Sequence, residues 1–367
     1  MTFEKPTSRR SVLKLMGGTA LAAPFIIRPD LAFASAGEVN ITTYDKFLPT
    51  DFVDRFQKDT GIKVNVRLTD DQGKLYNSVL AEGDAPTTDI VSVSGHRVPQ
   101  WVESNLLTAF DLDRMPNWQN LTPTYIDAPW ATYNGEKFAL PHLAGYQGLT
   151  YNTDRISDVD SWAIMFDEKY RGQTSYIITD FLSITMKYLG FDGELVGYVG
   201  DDAKSEEAIA AARDHLIAHK AQVRKYYSGP SEVQQMLLNE DIYLAHAWSG
   251  PTSKLILDGA PVRSIVPKEG TYGFCYNLNI VRNAPNAENA YKLLDAILGD
   301  PAAGAAMTRG SGFISTTNGV AELLTEKEQA ALSLPQEQAE RVTYSSSANR
   351  ILLNKLLDDA RAKILAS

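Results

Sequence analysis

Strand-length apolar runs separated by amphipathic stretches constrain this chain most. "VNITTY" (residues 39–44) is a predicted strand with Ile41 buried. "LPTDFVDRFQKDTG" puts Phe52, Val53 and Phe56 on one helical face, with Gly61 where a helix stops. "IKVNVRL" alternates Ile62, Val64, Val66 and Leu68, a strand period. A helix around residues 74–81 leads to "TDIVSVSG", an apolar strand ending at Ser94 and Gly95, and helical spacing returns through Val98, Val102 and Leu106. Alternation of this kind predicts an α/β fold, a parallel sheet covered by helices. Ligands of such sheets bind beyond the carboxyl ends of the strands. Geometry alone therefore nominates Tyr44, Asp45, Ser94, His96 and Arg97.

A second alternating region spans about residues 149–266. "TSYIITD" (174–180) reads as a strand ending in an acid, and "SEEAIAAARDHLIAHKAQVRKY" (205–226) as a long surface helix. "IYLAHAWSG" (242–250) reads as a strand ending at Trp248 and Ser249. From Leu278 the pattern is strand, helix, helix, loop and terminal helix, with no repeat, low-complexity segment or long linker. The changes of region near 146–150 and 275–279 fall in compact sequence, so two lobes share short crossing strands rather than a tether. One of those crossings, "GTYGFCYNLNIV" (270–281), carries Tyr272, Phe274 and Tyr276. Burial preference by itself assigns these rings to the core.

Residues 1–36 have the layout of a cleaved export signal: Arg9 and Arg10, an apolar run to Ile27, then small residues at 32–36. The paired arginines before Leu13 and Lys14 resemble a twin-arginine signal, with cleavage expected after Ala34 or Ala36. Gly17, Gly18, Pro24 and Arg28 interrupt the run, and no cysteine marks a lipoprotein site, so no membrane anchor is expected. The full chain of 367 residues has a net charge of −10. Removing residues 1–36 takes away five basic and two acidic residues, leaving 30 against 43 and a net charge of −13. Such a surface repels nucleic acid and anionic lipid. Cys275 is the sole cysteine and has no internal disulfide partner.

Chemistry with a local signature is missing. There is no H-E-x-x-H, C-x-x-C, G-x-S-x-G, Walker or dinucleotide loop, so no enzyme activity, cofactor or metal is expected. His215 and His219 share a helical face but lie among charged residues and read as a solvated surface. Asp111 and Asp113 lack the glycine and closing glutamate of a calcium loop.

Over residues 39–317 the chain resembles the polyamine-type (spermidine/putrescine) solute-binding proteins of bacterial ABC importers. The passages that carry the resemblance are "FVDRFQKDTGIKV", "TTDIVSVSG", "SNLLTAFD", "KFALPHLAGYQGLTYNTD", "SWAIMFDEKYRGQ", "PVRSIVPKEGTYGF" and "APNAENAYKLLDAIL". It implies a two-lobe periplasmic-binding-protein fold of type II-like character, each lobe a mostly parallel sheet flanked by helices and hinged by crossing strands. The lobes are expected at residues 37–148 plus 278–315 and at 149–277 plus 316–367, with a ligand in the cleft and an inner-membrane ABC permease as partner. A monomer is expected, exported by the twin-arginine machinery. The resemblance also implies an aromatic box with acids for the amino groups. By position it assigns Tyr44, Asp45, Ser94, His96, Trp248, Phe274 and Phe313 to the cleft, which moves Phe274 and Tyr276 from core to cleft and leaves Tyr272 open.

The chain departs from that pattern at its acids. Tyr276 stands where an acid is expected, and after "TSYIITD" only Asp180 is retained. Aromatic faces contribute about 0.5–2 kcal/mol each to an ammonium and do not replace a carboxylate at each end of a diamine. The residues therefore favour a ligand with one ammonium, such as an ω-amino acid of the 4-aminobutyrate type. Asp45 or Asp180 would take the ammonium and Arg97, or secondarily Arg309, the carboxylate. Polyamine, quaternary ammonium and hydrolase readings stand as alternatives.

Overall fold

The computed structural model describes residues 37–332, 334–344 and 350–367. The expected export signal lies outside the described residues. The chain opens with β1 (Glu38–Thr43), β2 (Lys63–Leu68) and β3 (Ile90–Ser94). β1 lies between the other two, parallel to both, with Ile41 opposite Val66 and Ile90. The helix Thr50–Thr60 joins β1 to β2 and buries Phe52, Val53 and Phe56. It stops where Gly61 turns left-handed (φ 71°) and its N–H caps Gln57.

After a small hairpin, β4 (Thr132–Tyr133) and β5 (Glu136–Lys137), comes the long strand β6 (Leu140–Asn152). The second region supplies β7 (Thr174–Tyr176), β8 (Val223–Tyr226), β9 (Leu244–Trp248) and β10 (Val262–Ile265). β11 (Thr271–Ile280), β12 (Ile314–Ser315) and β13 (Val342–Tyr344) complete the set. The main sheet runs β2-β1-β3-β11-β6-β9-β7-β8. Its two outer parts are parallel, whereas β11 is antiparallel to β3 and β6, and β6 is antiparallel to β9.

Apolar side chains cover both faces of each half. Ile41, Phe56, Ile90, Leu278 and Leu294 fill one face of the first half, and Val93, Trp101 and Cys275 the other. In the second half Trp162, Phe181, Leu244 and Ile364 cluster on one face, and Met236, Ile242 and Leu255 on the other. The result is a two-lobed α/β molecule whose lobes are connected through β6 and β11.

Four local expectations need correction. "LNIV" is not a separate strand; it ends β11, which runs unbroken through the aromatic stretch because β3 and β6 pair with it from both sides. "TSYIITD" is a strand only to Tyr176, and Asp180 sits in the first turn of the helix Ile178–Tyr188. Ile178, Phe181 and Leu182 there bury a helical stripe, which overrides the strand preference of the isoleucines. The helix read over 205–226 is Asp202–Ala218, and Val223–Tyr226 pairs with β7 as an edge strand. His215 and His219 do not form a solvated face: their rings pack against Phe166 at 4.5 and 5.3 Å.

Candidate functional site

The strand ends converge as the parallel arrangement requires. Tyr44 follows β1, Ser94 ends β3, Trp248 ends β9, and Asp180 opens the helix after β7. On the sheet Ser94 lies directly opposite Tyr276 of β11. The β11–β6 register shifts between Tyr276 and Asn277, where Tyr276 opposes Leu143 and Asn277 opposes Pro141. His142 is the extra residue of this bulge, and its Nδ1 is 2.9 Å from the Tyr276 carbonyl oxygen. Bulges bend a strand and re-aim its side chains.

Five rings form one cluster at this point. Tyr276 stands 4.8 Å from Phe47, 5.3 Å from Tyr44, 5.7 Å from Phe313 and 5.9 Å from Phe274, centroid to centroid. Phe274 and Phe313 meet edge-on at 5.5 Å. Phe313 is seated against two glycines: a Cβ on Gly250 would lie 2.5 Å from its ring, and one on Gly145 would lie 2.9 Å away. Tyr44, Phe274 and Tyr276 are half-buried. Tyr272 behaves differently: it is buried in the core of the second half, beneath the Lys187 ammonium at 5.2 Å.

Charge is distributed unevenly around these rings. The Asp180 carboxylate accepts a hydrogen bond from the Trp248 indole N–H at 3.1 Å. Burial first, then the neighbouring Tyr44 phenol and the Asp180 carboxylate, push the Tyr276 phenol up, so it stays neutral at physiological pH and supplies no negative charge. Asp45 points outward; its side chain is 70% exposed and pairs loosely with Lys46 at 3.8 Å. Arg309 is committed to Glu328 (2.6 and 3.1 Å) and to the Leu323 carbonyl, so it is not available for a ligand carboxylate. Arg97 and His96 are half-buried in the turn Gly95–Arg97 that follows Ser94. No carboxylate among the described residues pairs with Arg97, whose charge is felt at Tyr44 and Asp71.

Two residues of the site escaped the sequence reading. Phe47 lies past the left-handed Lys46 (φ 65°), in a turn whose shape no local pattern reveals. Gln72 starts the helix Gln72–Glu82 and binds across the strand ends. Its Oε1 accepts from the Ser94 N–H (3.1 Å), while Nε2 donates to the Ser92 carbonyl (3.2 Å) and to the Tyr44 hydroxyl. The cap of this helix is Asp71, which accepts from the Lys74 N–H at 2.7 Å.

Each half also buries a histidine. Burial lowers both His142 and His246 to about 3, so both are neutral. His246 Nε2 is 3.0 Å from Gln147 Oε1, and Gln147 lies opposite Trp248 on the sheet. No group of three or more His, Cys, Asp or Glu among the described residues is arranged to hold a metal ion.

Known proteins share this fold. A putrescine/agmatine-binding protein of Pseudomonas aeruginosa is 24% identical over 348 residues, covering 89% of this chain and 86% of its own length. A spermidine/putrescine-binding periplasmic protein of Haemophilus influenzae is 23% identical over 333 residues, with 89% and 86% covered. Among solved structures, a spermidine/putrescine ABC transporter substrate-binding protein of Streptococcus pneumoniae superposes with a TM-score of 0.78 at 18% identity, over 90% of this chain and 98% of that one. A GABA receptor superposes with a TM-score of 0.69 at 19% identity, over 89% and 98%. The profile of the bacterial extracellular solute-binding proteins matches residues 51–334, and the chain belongs to that family.

Proposed function

We propose that this protein is the periplasmic binding component of an ABC importer and captures a small aliphatic amine, with an ω-amino acid such as 4-aminobutyrate ahead of a polyamine. The observation that carries the reading is the Asp180 carboxylate, bonded to Trp248 and felt at a neutral Tyr276, while Asp45 is turned outward to Lys46. One buried ammonium is satisfied by one carboxylate and ring faces; a second, unpaired, would cost several kcal/mol. Arg97 takes the ligand carboxylate in this reading. The lobes, residues 37–148 plus 278–315 and 149–277 plus 316–367, close over the ligand by bending of β6 and β11, and a monomer presents the closed form to the permease. Residues 1–36 direct export through the twin-arginine route. The protein performs no chemistry on what it binds.

The polyamine reading draws support from the relatives, several of which bind putrescine or spermidine by name. It requires Asp45 to turn from Lys46 toward the second amino group. Calorimetric titration of the processed protein with 4-aminobutyrate, putrescine, spermidine and a trimethylated amine decides. The zwitterion is expected to bind tightest; tight binding of putrescine with no heat from 4-aminobutyrate removes the proposal in favour of the polyamine.

A further inference from the structure

The hydrogen bonds of Gln72 determine the direction of a proton. A backbone N–H only donates and a carbonyl only accepts, so the Gln72 atom facing the Ser94 N–H is the oxygen and the one facing the Ser92 carbonyl is the NH2 group. The same NH2 group meets the Tyr44 hydroxyl, whose oxygen must therefore accept. The Tyr44 proton is thus turned away from Gln72, and no acceptor among the described residues takes it. Tyr44 stands just past the end of β1, half-buried, with its ring against Tyr276. Arg97 comes three residues after Ser94, in the turn that Gln72 secures.

We propose that Gln72 is a positioning residue that aims the Tyr44 hydroxyl proton, beside Arg97, at the carboxylate of the ligand. The inference rests on the zwitterion reading and adds the element that selects an anionic end over a second amine. A donor held in place by a strand-end network loses no rotational freedom when the ligand arrives. Burial raises the Tyr44 phenol above its ordinary value; the Gln72 hydrogen bond and the Arg97 charge act against that rise, and the Asp71 and Asp70 charges add to it. A ligand ending in an ammonium finds a donor and a cation at this corner, so it is rejected.

The test compares 4-aminobutyrate with n-butylamine, which has the same ammonium and chain without the carboxylate, in the wild-type protein, Gln72→Glu and Tyr44→Phe. A glutamate at 72 only accepts, so it reverses the Tyr44 proton and adds a negative charge; phenylalanine at 44 keeps the ring and removes the proton. The wild-type preference for 4-aminobutyrate is expected to fall at least about tenfold in both variants, the loss of one hydrogen bond to a charged group. Gln72→Glu is expected to gain affinity for putrescine relative to wild type. If the wild-type protein binds both probes equally, the zwitterion reading fails and this inference with it. If wild type discriminates and Tyr44→Phe, checked for folding by its thermal transition, discriminates equally well, Gln72 and Tyr44 have no such role and the zwitterion reading stands.

Discussion

The two walls of the proposed cleft are built from the same kind of strand end but to different electrostatic designs. On the first, β1, β3 and β11 deliver Tyr44, Ser94 and Tyr276, all uncharged, steadied by the amide of Gln72. On the second, β9 and the helix after β7 deliver Trp248 bonded to the carboxylate of Asp180. The first wall offers neutral rings with the Arg97 guanidinium beyond Ser94, and the second offers a carboxylate. In the proposed reading, a ligand that satisfies both has an apolar body, an anionic end toward Arg97 and an ammonium toward Asp180.

Replacing the charge is the strongest way to break this contrast. Asp180→Asn keeps an acceptor for the Trp248 indole and removes the negative charge; amine affinity is expected to fall by about 2 kcal/mol or more, roughly 30-fold, whereas Tyr276→Phe changes it by less than about threefold. Calorimetry of the two variants side by side measures the difference, and equal losses would end the division of labour. A smaller effect concerns the histidines, one in each half. In the unfolded chain both titrate near 6.5, and in the folded protein near 3. The unfolded state therefore binds more protons below pH 6.5, and stability falls as pH drops, by up to about 1.4 kcal/mol per pH unit for each histidine. Thermal melts at pH 7, 6 and 5 are expected to show this decline, with a shallower slope in His142→Gln; a flat profile would mean that both histidines take up protons as readily folded as unfolded. The smallest effect is expected at Arg309, an exposed pair with Glu328. Arg309→Ala should alter stability by less than about 1 kcal/mol and leave ligand affinity in place, unlike Arg97→Ala, which should weaken carboxylate binding about tenfold.

Much of this site was legible because strand ends announce themselves. Tyr44 and Ser94 follow apolar runs of strand period, and the topology rule assigns what comes next to the cleft. Phe47 and Gln72 were not legible for the opposite reason: one depends on a left-handed turn at Lys46, the other on bonds to residues 20 to 28 positions away. Tyr272 shows the limit of period-two reasoning. It shares alternation with Phe274 and Tyr276, yet β11 passes from one half of the molecule to the other within those residues, and the ring that precedes the crossing enters the second core. The over-long helix at 205–226 has a similar origin, since "VRKY" gains its strand character only from β7 alongside.

Cys275 lies on β11 between Phe274 and Tyr276, fully enclosed, with its thiol pushed up by burial. The thiolate is the nucleophile that attacks an alkylating agent, so Cys275 reacts only when this stretch of β11 opens. The protein thus carries a native clock at its lobe crossing. The rate of alkylation, with and without amine, times how often the backbone that holds the box comes apart, and no label has to be introduced to read it.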